Sequence, residues 1–150
     1  MTEFEHVTTN AVVEIYNSSN GIFEGLLKEV KVLSQKKPDA TMSPGKVMII
    51  NRVLEDLLTF LSDEPSGKYL DVLDDQTLPQ TSDAVLMMVQ FESALASFNQ
   101  RYHKSVGSRY YWMGNTHYWI TKEQIAKWEE EKEERLANDE EEEEEEEDGG

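Results

Sequence analysis

The most regular apolar repeat of the chain lies in residues 43–61, which read SPGKVMIINRVLEDLLTFL. Ser43 can accept hydrogen bonds from the free N–H groups of a helix start, and Pro44 suits the first helical position, where its missing N–H costs nothing. Apolar side chains follow at spacings of three and four, wide enough to contact two neighbouring helices. The pattern therefore predicts a central helix. Its inward face comprises Val47, Ile50, Leu54, Leu57 and Leu61.

Two further stripes of the same period flank this helix, in residues 9–35 and 81–103. We expect one long helix in the first range, and a helix capped by Thr81 or Ser82 in the second. Together they predict a mainly α fold, an antiparallel bundle of three core helices. Such coiled-coil-like stripes could equally be satisfied across a homodimer. The first stripe comprises Val12, Tyr16, Ser19, Phe23, Leu26, Val30 and Leu33; the last comprises Ala84, Met88, Phe91, Leu95, Phe98 and Tyr102.

The period changes after the third helix. Residues 109–113 and 116–120 are rich in aromatic side chains and flank Gly114-Asn115, a dipeptide suited to a tight hairpin turn. The sequence thus predicts a C-terminal β-hairpin near residues 109–120. Thr121, followed three residues later by Gln124, has the pattern of a capping box and predicts a short fourth helix.

The chain ends in an unbroken acidic run from Asp139 to Asp148, followed by two glycines. Residues 122–150 carry 16 acids and 4 bases, a net charge of −12, whereas residues 1–121 carry 15 acids and 10 bases. A run without apolar residues buries nothing, so we expect a disordered acidic tail over residues 137–150. Residues 1–136 are then expected to form a single helical domain.

Composition also narrows the location and the partners. The chain has no cysteine, and a net charge of −17. No signal peptide and no apolar stretch of membrane-spanning length is visible, so a cytoplasmic protein without a membrane partner is expected. An acidic field repels nucleic acid at long range and favours a protein partner with a basic surface.

The hairpin and its approach form the candidate interface. Aromatic rings beside cations are what single-stranded nucleic acid binds, and Tyr, Trp and Arg are equally the anchors of protein interfaces. Burial of these rings in the core of a small domain is the alternative. We expect a protein partner, with direct binding of single-stranded nucleic acid less favoured. The candidate interface residues are Arg101, Lys104, Arg109, Tyr111, Trp112, Tyr118 and Trp119.

Catalytic and cofactor patterns are sparse. The three histidines stand in no metal-ligand spacing, and we expect no cofactor. Asp71, Asp74 and Asp75 form the densest acidic cluster outside the tail and are weak candidates for Mg²⁺. They suit the polar side of an amphipathic turn better, so a small metal-dependent helical hydrolase is only an alternative.

The acidic run itself allows three interpretations. It can act as a solubilising appendage, imitate a phosphate backbone and occupy basic grooves, or screen the chain's own Arg101–Arg109 region. The resulting hypothesis is a non-enzymatic regulatory protein that binds a macromolecule through the hairpin, with the tail steering or competing for basic surfaces. A nucleic-acid-mimicking inhibitor is the leading alternative. The tail residues that we expect to carry this electrostatic role are Asp139, Glu140, Glu144 and Asp148.

Overall fold

The computed structural model of the protein describes residues 4–106 and 116–149. In these ranges the order is α1 (Asn10–Lys36), α2 (Pro44–Leu61), a 3₁₀ turn (Pro65–Gly67), α3 (Thr81–Tyr102), β1 (His103–Ser105), β2 (His117–Trp119) and α4 (Lys122–Asp148). Residue contacts divide the chain into two compact units. Unit 1 comprises residues 1–10 and 102–150, and unit 2 comprises residues 11–101. The proposal of one domain over residues 1–136 stays a prediction.

Unit 2 is the predicted three-helix bundle, and α2 is its centre. The expected inward face of α2 is confirmed, since Val47, Leu54, Leu57 and Leu61 are completely buried. Burial of each such side chain contributes about 2 kcal/mol to the free energy of unfolding. The start of α2 also follows the prediction, because Ser43 Oγ accepts a hydrogen bond of 3.2 Å from the Lys46 N–H.

Contacts between rings define the helix directions in unit 2. Tyr16 stacks on Phe98 at 5.6 Å, and Phe23 lies 6.3 Å from Phe91, so α1 runs antiparallel to α3. Phe60, near the end of α2, packs edge-on against Phe98 at 4.9 Å. The starts of α2 and α3 are joined by a bridge between Thr41 and Gln80. α2 and α3 therefore share a direction, and residues 62–80 return along the bundle between them.

The predicted stripe of α1 is partly wrong. Val13 and Leu27 are buried in place of Val12 and Leu26, which remain half-buried. Leu33 is also half-buried. The helix packs between two neighbours, so its core face is rotated relative to the most regular apolar spacing, and Leu26 lies at the edge of the core. All six predicted core positions of α3 are buried.

The connector between α2 and α3 is fastened to α2 by one amide side chain. Asn51 Nδ2 donates to the Leu73 carbonyl, and Asn51 Oδ1 accepts from the Leu73 N–H, both at 2.9 Å. The side chain thus satisfies both backbone groups of a residue that is itself buried. A 3₁₀ turn at Pro65–Gly67 precedes this anchored part of the connector.

Thr81 takes a different role from the predicted cap. It is the first residue of α3, and its Oγ1 donates to the Lys37 and Pro38 carbonyls at 2.6 and 3.0 Å. The hydroxyl therefore ties the start of α3 to the end of α1.

Unit 1 combines both ends of the chain. β1 and β2 pair antiparallel, with His103 opposite Trp119 and Ser105 opposite His117. The segment before α1 runs beside β2: the Thr8 N–H donates to the Ile120 carbonyl at 2.9 Å, and the Lys122 N–H donates to the Thr8 carbonyl at 3.0 Å. Val106, Ile120, Ile125 and Trp128 form its core, against which Phe4, Val7 and Tyr118 pack.

The hairpin is confirmed as a two-stranded antiparallel pair after α3, but its strands differ from the prediction. The second strand lies within the predicted range, at His117–Trp119. Its partner is His103–Ser105, which the sequence pattern assigned to the end of the third helix and its approach. The predicted first strand and the Gly114-Asn115 turn lie outside the described residues.

Glycine substitutions test the helical geometry. Gly21 and Gly25 lie inside α1 with open space where a Cβ would point, whereas a Cβ at Gly67 would lie 1.7 Å from the Leu61 carbonyl oxygen. Gly21→Ala should raise the free energy of unfolding by about 0.5–1 kcal/mol, because alanine restricts the unfolded chain and favours the helix. Gly67→Ala should lower it. Urea unfolding followed by circular dichroism measures both, and a Gly21→Ala variant less stable than the wild type would contradict the continuous helix.

Replacing the connector's anchor tests its contribution. Asn51→Leu should lower the free energy of unfolding by about 2 kcal/mol, because it leaves the Leu73 N–H and carbonyl without their partners. Gln90→Leu is the matched control, since its side chain donates to a carbonyl of its own helix at an exposed position. Equal effects from the two variants in urea unfolding would show that the anchor is not needed.

Candidate functional site

The described hairpin has two chemically different faces. Residues directly opposite each other share a face, so Tyr118 and Lys104 lie together, while Trp119 and His103 lie on the other side. Tyr118 packs edge-on against Trp128 at 5.3 Å and joins the core of unit 1. The second face carries a ring cluster: His103 lies 4.9 Å from Trp119 and stacks on His117 at 5.9 Å.

The candidate interface residues are only partly brought together. Tyr118 is half-buried and packs against the core of unit 1, and Trp119 is half-buried beside His103. Lys104 is exposed in β1. Arg109, Tyr111 and Trp112 lie outside the described residues, so their placement in an interface stays a prediction.

Arg101 has an acidic neighbour in unit 2. Its Nε lies 3.9 Å from Glu64 Oε2, and the two side chains are 32% and 12% exposed. A half-buried ion pair of this kind offsets the charge that a phosphate group would otherwise meet. The arginine therefore contributes less to a nucleic-acid surface than the sequence pattern indicated.

α4 begins as predicted. Thr121 Oγ1 accepts a hydrogen bond of 3.0 Å from the Gln124 N–H and donates one of 2.6 Å to Asn10 Oδ1. Glu123 Oε2 accepts a hydrogen bond of 3.1 Å from the Asn10 N–H. Ile125 and Trp128 bury the first turns in unit 1. These contacts supply the nucleus from which further turns can propagate.

The rest of α4 differs from the expected short helix and disordered tail. The helix spans 27 residues and continues through the acidic run to Asp148. Every residue from Lys132 to Gly149 is exposed. Glutamate is among the better helix formers, so the run can extend a helix already nucleated by Trp128. Repulsion between carboxylates four residues apart, and acids at the negative end of the helix dipole, both oppose this extension.

The helical run has a charge density close to that of a nucleic acid. Residues 139–148 each carry a carboxylate. A helix rises about 1.5 Å per residue, so the run presents one negative charge per about 1.5 Å. Duplex DNA presents one per about 1.7 Å of its axis. Glu140, Glu144 and Asp148 follow one another at four-residue spacing and therefore share one face of α4.

The three aspartates proposed as weak metal candidates accept hydrogen bonds within the connector. Asp74 Oδ1 accepts hydrogen bonds from the Gln76 and Thr77 N–H groups at 2.8 and 2.9 Å. Asp71 Oδ1 accepts one from the Val72 N–H at 2.8 Å. Asp75 Oδ1 accepts a longer one, of 3.4 Å, from Gln76 Nε2. Within residues 4–106 and 116–149, no three His, Cys, Asp or Glu side chains converge on a possible metal position.

A polar groove of about 340 Å³ lies between α1 and α3 in unit 2. Tyr16, Glu24, Glu92 and Asn99 are among its lining residues. Asn99 Nδ2 donates to the Tyr16 hydroxyl at 3.4 Å. The polar groups of the described lining are two carboxylates, three amides and the Tyr16 hydroxyl, with neither histidine nor lysine among them.

Comparison with protein-family models, with curated proteins and with solved structures finds no match for this chain. Among the described helices, none combines the length and the apolar character needed to cross a membrane.

Sequence reasoning missed the segment before α1. Phe4 lies 6.1 Å from Trp128, and Val7 packs on the same core. The signal was weak, consisting of two apolar residues in a polar stretch with no period to assign. The long reach of α4 was also missed, because an acidic run by itself indicates disorder unless a nucleated helix precedes it.

The turn at Asp74 yields a pH-dependent prediction. Hydrogen bonds from the Thr77 and Gln76 N–H groups lower the pKa of Asp74 below its ordinary value of 3.8. Because these bonds stabilise the charged carboxylate, their contribution is present above the ordinary pKa and is lost as pH falls through the lowered one. An NMR titration of the Asp74 carboxyl carbon should show this lowered pKa, and a value at or above 3.8 would contradict the turn. In Asp74→Asn the loss of stability on acidification should be smaller. The amide does not titrate, and its oxygen accepts these hydrogen bonds at both low and neutral pH.

Proposed function

We propose that this chain is a non-enzymatic binding and regulatory protein whose exposed acidic helix engages a basic surface on another macromolecule. The observation that carries the proposal is the continuation of α4 through the acidic run to Asp148, with every side chain from Lys132 onward exposed. A helix turns the run from a loose chain into a rod with a fixed spacing of charge. Its base is anchored in unit 1 by Ile125 and Trp128.

A basic partner would compensate two unfavourable electrostatic interactions within the acidic part of α4. Each pair of carboxylates four residues apart repels by about 0.2–0.5 kcal/mol, and the dipole of α4 disfavours acids in its last turns. Lysine and arginine side chains of a partner compensate both. Binding should therefore stabilise the helical form of residues 139–148 as well as neutralise its charge.

A nucleic-acid-mimicking inhibitor is the second candidate, and the charge spacing of α4 favours it. A groove that accepts duplex DNA recognises regularly spaced negative charge, which the acidic helix supplies at nearly the same axial density. The modest charge of unit 2 argues against a mimic built over the whole surface. Unit 2 carries 13 acids and 8 bases. The mimicry would be confined to α4.

The hairpin would supply specificity beside the helix. Lys104 and the ring cluster of His103, His117 and Trp119 lie in the same unit as α4. Arg109, Tyr111 and Trp112 belong to this proposal as sequence-based candidates. A direct single-stranded nucleic-acid role is weaker, because Arg101 lies beside Glu64 and the Tyr118 ring packs against the core of unit 1. A cytoplasmic location is part of the proposal, supported by the lack of cysteine.

Charge-matched variants test the acidic helix. Glu140→Gln/Glu144→Gln/Asp148→Asn removes three charges from one face of α4, and Glu14→Gln/Glu55→Gln/Asp63→Asn removes three from exposed positions of unit 2. Binding of a fluorescent oligolysine of about 20 residues, measured by anisotropy at low salt, should weaken roughly tenfold in the α4 variant, a loss of about 0.5 kcal/mol per charge. The unit 2 variant should bind like the wild type. Equal weakening in both variants would mean that only net charge acts, and would overturn the proposal.

A competition experiment with duplex DNA distinguishes a nucleic-acid mimic from a protein that binds basic surfaces only through its net charge. If α4 imitates a nucleic acid, the wild type should displace duplex DNA from a linker histone, and the α4 variant should do so at higher concentration. Displacement should decline steeply as salt rises, because both ligands depend on released counterions. Binding to the histone without displacement of DNA would reject the mimic and leave the wider proposal of a basic partner intact.

A further inference from the structure

Unit 2 contains an apolar groove in addition to its polar one. The groove lies between α1 and α2, has a volume of about 240 Å³, and includes Leu26, Leu33 and Ile49 in its lining. Its charged lining residues are Glu29 on α1 and Lys46 on α2. Ile49 remains 49% exposed.

The apolar surface continues along the same flank of α1. Residues 22, 26, 29 and 33 follow at spacings of four and three, so they share one side of the helix. Ile22 on this flank is 58% exposed. Leu26 and Leu33 belong to the stripe that the sequence pattern assigned to the core, yet they remain half-buried. A contiguous strip of this kind marks an interaction surface more often than an isolated exposed side chain does.

The occupant of such a groove must present an apolar helical stripe of its own. α1 and α3 pack against α2, and the furrow between α1 and α2 remains open, so a partner that covers it must bury apolar side chains there. The charged lining holds one acid and one base, so the groove itself does not select a basic ligand. Pairing of both charges on binding therefore requires a partner that offers a cation to Glu29 and an anion to Lys46.

A second copy of this chain meets that requirement. A two-fold axis that runs along the groove, parallel to α1 and α2, places α1 of each copy opposite α2 of the other, so Glu29 of one copy lies on the side of the other's Lys46 and the apolar strips meet. We propose that the α1–α2 groove is the interface of a symmetric homodimer. This inference concerns unit 2 and is independent of the function proposed for α4.

Net charge gives the dimer a distinctive salt dependence. Each copy carries −17, so long-range repulsion opposes association at low salt. Screening weakens that repulsion, while apolar burial is retained. Dimerisation should therefore strengthen as salt rises, whereas binding of a basic ligand to α4 should weaken.

The first experiment measures mass in solution. Sedimentation equilibrium of the full chain at about 50 and about 500 mM NaCl should show dimers, with at least about tenfold tighter association at the higher salt. Ile49→Glu should give a monomer. Leu86→Glu is the matched control on α3, where the native side chain is 64% exposed, and it should dimerise like the wild type. Circular dichroism melting of both variants verifies that the bundle still folds.

The second experiment tests charge pairing between copies. Glu29→Lys and Lys46→Glu should each weaken dimerisation at least about tenfold, because each places like charges across the two-fold axis. Mixing the two single variants should restore dimers at nearly wild-type affinity, since the lysine introduced at position 29 of one copy then faces the glutamate introduced at position 46 of the other. Only an intermolecular contact produces this rescue. A wild-type chain that stays monomeric at both salt concentrations assigns the groove to a different partner and overturns the proposal, as does a dimer unaffected by Ile49→Glu.

Discussion

Burial of one face of α2 is the constraint on which unit 2 depends. Val47, Leu54, Leu57 and Leu61 are fully excluded from water, and α1 and α3 each bury their own apolar face within the same unit. Truncating any one of these leucines to alanine should cost about 2–5 kcal/mol, comparable with the whole stability of a domain this small. The connector follows from the same arrangement, because Asn51 on the flank of α2 holds the returning chain at Leu73.

Most of the apolar core and most of the negative charge lie in different units. Unit 2 buries most of the core and has a net charge of −5, while unit 1 carries 18 acids and 6 bases, a net charge of −12. Carboxylates in a tight core would have to be desolvated or neutralised, so the acidic helix extends away from its small apolar anchor. Compact packing and a strong electrostatic field are thus achieved in different parts of one chain.

The features that the sequence pattern predicted correctly are those that interactions between residues close in sequence determine. The core faces of α2 and α3, the caps at Ser43 and Thr121, and a hairpin after α3 all follow from short-range patterns. Partners distant in sequence could not be predicted. The displacement of Leu26 by Leu27 depends on how α1 sits between two neighbours, and the pairing of His103 with Trp119 depends on a strand whose sequence is typical of a helix end.

The sequence predicted which residue types form the candidate site, but not how they are arranged. Its acidic residues are evident in the sequence, yet their helical arrangement depends on the nucleus built around Trp128 by the distant segment at Phe4. The neutralisation of Arg101 depends on Glu64, which follows α2 and lies 37 positions earlier in the chain. In both cases the decisive residue lies on another element, and one sequence contains no signal that pairs them.

Unit 1 is built from residues 1–10 and 102–150, so its two segments are synthesised far apart in time. The backbone of Asn10 finds its acceptor on Glu123, 113 positions later. At a ribosomal rate of about 5–20 residues per second, Phe4 and Val7 wait roughly 6–25 s for the residues that cover them. The whole of unit 2 is synthesised within that interval. A nascent chain would therefore carry a finished bundle next to an uncovered apolar N-terminal segment, and closure of unit 1 would be the last step of maturation.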